Sequence, residues 1–163
     1  MINPGQFISE VLEPALKALD MFSEDAMHLM LRTAIIESQL THILQIPNGP
    51  ALGFMQVEYA TYLDVVRYLN QRSDIKERVL RYTEYMTLPT KPVSVISNIS
   101  LNVIAARIKY WMQPEAIPAY KDVEAQAEYY LQYYNTAKGS SNLHKFKMAS
   151  QVSYSWYPKS DNP

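Results

Sequence analysis

Wherever this chain is not interrupted by Pro or Gly, its apolar residues recur at intervals of three and four, and no stretch of useful length alternates by two. That pattern restricts the chain to helices. Ser23 stands as an N-cap with Glu24 and Asp25 in the first turn, and Met27, Met30, Leu31, Ala34 and Ile35 follow at helical spacing, predicting a helix to about Leu40. Upstream, Phe7, Ile8, Val11, Leu12, Ala15 and Leu16 share one face of a helix over Phe7 to Leu19, which Pro14 kinks or restarts. Downstream, Tyr62, Val65, Val66 and Leu69 predict a helix from Thr61 to Leu69, and Ser73 or Asp74 caps another through Tyr85. The longest periodic run is Val93 to Trp111, carrying Ile96, Ile99, Val103, Ile104 and Ile108. Asp122 caps a helix to about Tyr134, and a last one spans Asn142 to Tyr154. With no internal repeat, these elements predict one all-α domain over residues 1–157, ending in a polar tail, 158–163, expected to fray.

A chain of 163 residues suffices for a core without staples, since this size buries roughly 68–70% of the unfolded surface. Hydrophobic residues make up 48% and charged residues 19%, which excludes disorder. The absence of Cys removes disulfides, thiolate nucleophiles and thiolate zinc sites, and His28, His42 and His144 are widely spread, so neither a metal nor another cofactor is expected. A net charge of −1 gives no field toward nucleic acid or anionic membrane, and no apolar run is long enough for an integral membrane segment. Met1 to Gly5 lacks the basic start and apolar run of a secretory signal; the expectation is synthesis in the cytoplasm, with delivery by other means if the target lies outside.

Only four glycines occur, Gly5, Gly49, Gly53 and Gly139. Two of them fall with Pro47, Asn48 and Pro50 in the segment from about His42 to Gly53, which reads as a shaped loop. Glu37-Ser38 precedes it and Gly53-Phe54-Met55-Gln56 closes it. Glu37 lies seven residues beyond Met30, about two turns, so it borders the apolar face, where partial burial raises a carboxyl pKa toward general-acid use. An exposed helical Glu is the bland alternative.

Gly53 would admit a close backbone approach. Met55 offers a soft apolar wall and Gln56 an amide for sugar groups; a packed Met and a capping Gln are the alternatives. Ser38 either orients the acid and binds substrate, or bonds its own helix end. Glu58 and Asp64 are the only nearby candidates for a second carboxylate, and Glu58 also suits the start of the next helix. Asn98 suits hydrogen bonding across a cleft or capping its helix. Tyr129, Tyr130, Tyr133 and Tyr134 span successive turns, with positions 130 and 134, or 129 and 133, on shared faces suited to sugars or to packing. Trp111 reads as core, Trp156 as tail packing and His42, which has no evident acid partner, as a solvated or loop-bracing residue and not a catalytic one. Lys138, Lys145 and Lys147 read as a solvated face, with contact to an anionic polymer as the alternative.

In order and approximate spacing, these elements resemble the lysozyme-like lytic transglycosylases, which carry a Glu-Ser pair at a helix end, a Gly-Leu-Met-Gln motif, a later Asn-containing helix and a Tyr-Asn pair. Phe54 stands at the Leu position of that motif. The resemblance covers roughly residues 23–139 and is closest to a phage-associated branch, through Gly49-Pro50-Ala51-Leu52-Gly53, Gln56-Val57-Glu58, Asn98 and Tyr133-Tyr134-Asn135-Thr136. One departure is that Gly139 follows Thr136, Ala137 and Lys138, where the family commonly continues Ala-Gly.

The resemblance implies a goose-type lysozyme-like fold with an active-site cleft and Glu37 as the single acid/base. It implies cleavage of the MurNAc–GlcNAc β-1,4 bond of peptidoglycan, with 1,6-anhydro ends. Ser38, Gly53, Phe54, Met55, Gln56, Glu58, Asn98, Tyr134 and Asn135 are then the expected substrate-binding or acid-positioning residues, Tyr134 foremost. The expected partners are glycan strands and other virion proteins, in wall penetration or host lysis. Two further readings remain: a structural or wall-binding virion protein without turnover, and a true hydrolase using Glu58 or Asp64.

Overall fold

A computed structural model describes residues 1–45, 49–135 and 143–157. They are mostly helical, in the order α1 (Pro4–Phe7), a π-helical turn (Ile8–Leu12), α2 (Glu13–Ala18), α3 (Glu24–Ser38), β1 (Ala51–Leu52), β2 (Val57–Glu58), α4 (Tyr59–Asn70), α5 (Ser73–Thr83), α6 (Pro92–Ser97), α7 (Ile99–Trp111), α8 (Val123–Tyr133) and α9 (Leu143–Trp156). The expected fraying of residues 158–163, the displaced Gly139 and the role of Lys138 lie outside the described residues.

The local chemistry explains most boundaries. Asn3 caps α1 by accepting from the Gln6 amide (3.2 Å), Ser23 caps α3 through the Ala26 amide (3.0 Å), and Asp122 caps α8 through the Ala125 amide (3.0 Å). The expected break at Pro14 takes the form of a π turn: the Glu13 amide reaches back to the Ile8 carbonyl, and the wider turn accommodates a ring that an α-helix would reject. Ser73 lies inside α5, not at its cap; Arg72 holds the cap position without a side-chain bond.

The run from Val93 to Trp111 is two helices, not one. Asn98 is extended between them (φ −105°, ψ 100°), and its Oδ1 accepts from the Leu101 amide at 2.9 Å, so it starts α7. Hydrophobic spacing persists across the break and therefore hides it.

Two helices form the centre. Every residue from Ala26 to Ala34 on α3 and from Leu101 to Ile108 on α7 is buried, the condition of a helix covered on all sides. α9 lies along α3, while α2, α4, α5 and the π turn pack around α7. The segment after α3 folds back on itself: Leu44 bridges Leu52, and β1 pairs antiparallel with β2, Leu52 opposite Val57. These strands are too short to carry a legible alternation. No helix of the described residues is long and apolar enough to cross a membrane.

Candidate active site

α3 ends because Gln39 (φ 52°) and Leu40 (φ 54°) turn left-handed. Ser38, buried, closes that end: its hydroxyl donates to the Ala34 carbonyl (3.1 Å) and accepts from the Leu40 amide (3.1 Å). Of its two readings, the structure displays the helix-end brace. Glu37 is consequently fixed in the last turn of α3, where the C-terminal carbonyls already disfavour a negative charge.

Opposite this end, the loop is held by a residue that the sequence reading passed over. Gly53 is left-handed (φ 69°), and a Cβ there would fall 2.3–2.4 Å from the side-chain atoms of Asn102. Asn102, buried in α7, donates from Nδ2 to the Leu52 carbonyl (2.9 Å) and accepts at Oδ1 from the Met55 amide (2.8 Å). One amide thus pairs with the backbone on both sides of Gly53, and the glycine is required because that amide presses against it. An Asn amid the apolar run of α7 was the available signal, since a buried amide must find partners.

The clamp shapes Gln56, another left-handed residue (φ 48°), whose Nε2 donates to the Gly53 carbonyl at 2.7 Å. It also sends two side chains inward. Met55 is fully buried, and Phe54 packs edge-on against Phe7, ring centroids 6.3 Å apart. Their side chains anchor the loop to the core and do not line the cleft beside Glu37.

The hydroxyl that reaches Glu37 is that of Tyr130, which donates to Oε1 at 2.6 Å. Asn135 Nδ2 donates in turn to the Tyr130 oxygen (3.2 Å). The resemblance points to Tyr134 as the substrate-binding or acid-positioning residue. Tyr134 lies one turn later, buried, and donates instead to the Met55 carbonyl (2.6 Å), tying α8 to the loop. Its ring stacks on Tyr130 (6.0 Å, 18°) and lies 5.0 Å from that of Tyr110. Tyr110 meets the Thr33 hydroxyl at 2.8 Å. Tyr134 is therefore a post that holds Tyr130 and the loop in place.

Lys109 completes the surroundings. Its Nζ sits 4.0 Å from the Tyr134 ring centroid and donates to the Tyr134 carbonyl (2.9 Å). Burial pushes the Glu37 pKa above the ordinary carboxyl value; the Tyr130 hydrogen bond and the Lys109 charge oppose the shift without cancelling it. Burial lowers the Lys109 pKa, with the charges of Glu37 and Glu58 opposing.

A cleft of about 320 Å³ opens on Glu37, bordered by His42, Leu44, Gln45, Ala51 and Gln56. This lies at the small end of ligand pockets. Of the remaining expected residues, Glu58 is exposed at the start of α4 and its side chain makes no capping bond. Asp64 faces solvent in an ion pair with Arg67 (2.8 Å). Asn98 caps α7 and approaches the Tyr85 hydroxyl (3.4 Å), outside the residues that border the cleft. Trp111, expected in the core, is 45% exposed. Lys147 pairs with Glu124 across α8 and α9 (3.1 Å). Among the described residues, no three His, Cys, Asp or Glu side chains gather as metal ligands.

The arrangement can hold a proton on a shielded carboxyl, steady that carboxyl with a phenol, and present it with an amide to a small polar group. No protein family, curated protein or solved structure matches the chain.

Proposed function

We propose that this protein is a peptidoglycan-cleaving glycosidase of the lytic transglycosylase type, with Glu37 as its single acid and base. The observation that carries the reading is the state of Glu37: a carboxyl of raised pKa, hydrogen-bonded to Tyr130 at 2.6 Å, at the edge of a polar cleft that it shares with Gln56. A carboxyl so placed retains its proton at higher pH than a free one, as a general acid requires.

In the proposed reaction Glu37 gives its proton to the glycosidic oxygen and the bond from C1 to that oxygen breaks. The muramic 6-hydroxyl then attacks C1 and returns its proton to Glu37, leaving a 1,6-anhydro sugar. Tyr130 compensates the carboxylate between the two transfers, and Lys109 lowers its cost from a distance. The geometry favours this over hydrolysis because Glu37 is the one acidic residue bordering the cleft among the described residues, whereas a retaining or inverting hydrolase sets two carboxyls across the bond. The hydrolase reading draws on one observation, that Lys109 feels the charge of Glu58 as well as that of Glu37.

Mass analysis of digested, purified peptidoglycan separates the readings. The proposal expects anhydro-muramic ends. Reducing ends assign a hydrolase with a second carboxylate, and binding without soluble products assigns a wall-binding protein. A role in phage wall penetration or host lysis belongs to the same proposal and rests on the resemblance of the Glu-Ser, Gly-Phe-Met-Gln and Tyr-Asn segments.

A further inference from the structure

A second cavity, about 430 Å³, lies beyond the C-terminal end of α7, and Asp25, Arg107, Trp111, Gln113, Glu115 and Tyr129 are among the residues that line it. Arg107 is two positions from Lys109 on α7, about 200° around the helix, so it points away from the Glu37 cleft. It is 5% exposed, yet its one hydrogen bond among the described residues runs from Nε to the Met21 carbonyl at 3.4 Å, near the limit of such a bond. The guanidinium stands 5.3 Å from the ring of Trp111, which is itself 45% exposed at the cavity.

A buried guanidinium whose fork meets no carboxylate is an expensive arrangement, because burial removes water that one long hydrogen bond and one ring contact replace only in part. Burial pushes the Arg107 pKa down to about 10, with the phenols of Tyr129 and Tyr110 opposing, so the group remains cationic at neutral pH. Arg32, the other deeply buried Arg, shows the contrast: Nε and Nη1 donate to the Ser153 hydroxyl, the Tyr120 carbonyl and the Gln126 amide oxygen, and its Nη2 is enclosed without a partner, whereas no Arg107 nitrogen is so enclosed among the described residues. Arg107 has no such set, and it faces an open volume.

The carboxylates of Asp25 and Glu115 also border the cavity, and neither forms an ion pair with Arg107 among the described residues. Asp25 uses Oδ1 to accept from the Tyr120 amide (2.7 Å). A cation at one side and carboxylates elsewhere on the wall call for a ligand with both charges.

The geometry points to this cavity as a binding site for a small zwitterion, an amino acid or the free end of a short peptide. Its carboxylate is forked by Arg107, its ammonium faces Asp25 or Glu115, and its side chain rests on Trp111. The Arg fork matches a carboxylate in two parallel hydrogen bonds, which a single Nε contact to a carbonyl leaves unused. The volume admits such a ligand with room for a second residue. This site is independent of the reading of Glu37.

Calorimetric titration with alanine and with the dipeptide alanyl-alanine tests it, the two probes distinguishing a free amino acid from a peptide end. Saturable binding of either is expected, falling at least tenfold for the probe's C-terminal amide and for its N-acetyl derivative. Arg107→Met is expected to abolish binding while leaving the thermal midpoint unchanged or higher, since the variant removes a buried, poorly compensated charge. A merely structural Arg107 would lower that midpoint. No saturable binding of either probe, or binding indifferent to the amide, overturns the proposal. The amide and acetyl comparisons use the unaltered protein and decide the matter even if the variant fails to fold.

Discussion

α3 carries two ionisable side chains that the fold treats in opposite ways. Arg32, mid-helix, is fully buried. Its Nε donates to Ser153 (3.1 Å), and Nη1 donates to the Tyr120 carbonyl (3.0 Å) and Gln126 (2.6 Å). Its guanidinium also lies near the rings of Phe146 and Tyr154. These contacts draw α8, α9 and the segment before α8 onto α3. Glu37, five residues later, is half-buried, receives a phenol and faces a cleft. Neutral acceptors take Nε and Nη1 of Arg32 and integrate it into the core, at the cost of an enclosed Nη2 without a partner among the described residues and a pKa lowered by burial. Glu37 is left under-compensated, which raises its pKa and costs stability at the pH where it ionises. The difference separates a charge that serves folding from one suited to proton transfer.

Removing Arg32 should therefore have the largest effect on the fold. Arg32→Ala empties a fully buried volume and takes from Gln126 Oε1 its donor, while the Tyr120 carbonyl keeps the Tyr154 hydroxyl and Ser153 keeps His28, so a loss above about 3 kcal/mol is expected in urea denaturation. A loss under about 1 kcal/mol would erase the contrast with Glu37.

Next comes the clamp that shapes the cleft. Gly53→Ala places a Cβ against Asn102 at a positive φ, with an expected cost of about 1–3 kcal/mol and loss of wall cleavage. In an Asn102→Ala background the steric part of that penalty should shrink, leaving the backbone part. Additive penalties in the double-mutant cycle would mean that Asn102 does not explain Gly53.

Helices α4, α8 and α9 were legible because each buries a face at helical spacing, α3 because its long apolar run follows a cap, and Ser23 and Asp122 could be read as caps because a short polar side chain before an apolar run has few other roles. The loop after Glu37 was legible from its Pro and Gly content. What escaped has a common physical cause: spacing records which side chains face inward but not which polar atoms they meet. The break at Asn98 keeps the apolar rhythm on both sides. Tyr130 and Tyr134 share a helix face, so no pattern in the chain tells which hydroxyl reaches Glu37 and which reaches the Met55 carbonyl. Asn102 serves residues about fifty positions upstream, beyond any local rule. Trp111 continues the apolar period of α7 past the point where the core ends.

Tyr130→Phe removes a hydrogen bond that favours the carboxylate, so the Glu37 pKa should rise and the basic limb of the pH–activity profile should move to higher pH. A limb that stays in place would detach Tyr130 from the acid. For stability, the signs differ along α3. His28 is buried, stacks on Tyr120 at 4.5 Å, and burial holds its pKa down to about 4 against an ordinary 6.5. The unfolded chain binds the extra proton first, so stability should fall as pH drops from about 6.5 to about 4. For Glu37 the raised pKa reverses the sign: the folded chain holds its proton longer, and stability falls as pH rises through and above the ordinary carboxyl range. His28→Phe should flatten the acid-side fall and Glu37→Gln the other, in thermal denaturation followed across pH.

The central claim is that Glu37 carries the chemistry and not the fold. Release of soluble muropeptides from purified peptidoglycan, measured for the native chain and for Glu37→Gln at matched folded concentration, tests it most directly. Release is expected from the native chain and none from the variant, whose thermal midpoint near neutral pH is expected to be equal or higher. Release by Glu37→Gln at the native rate would contradict it.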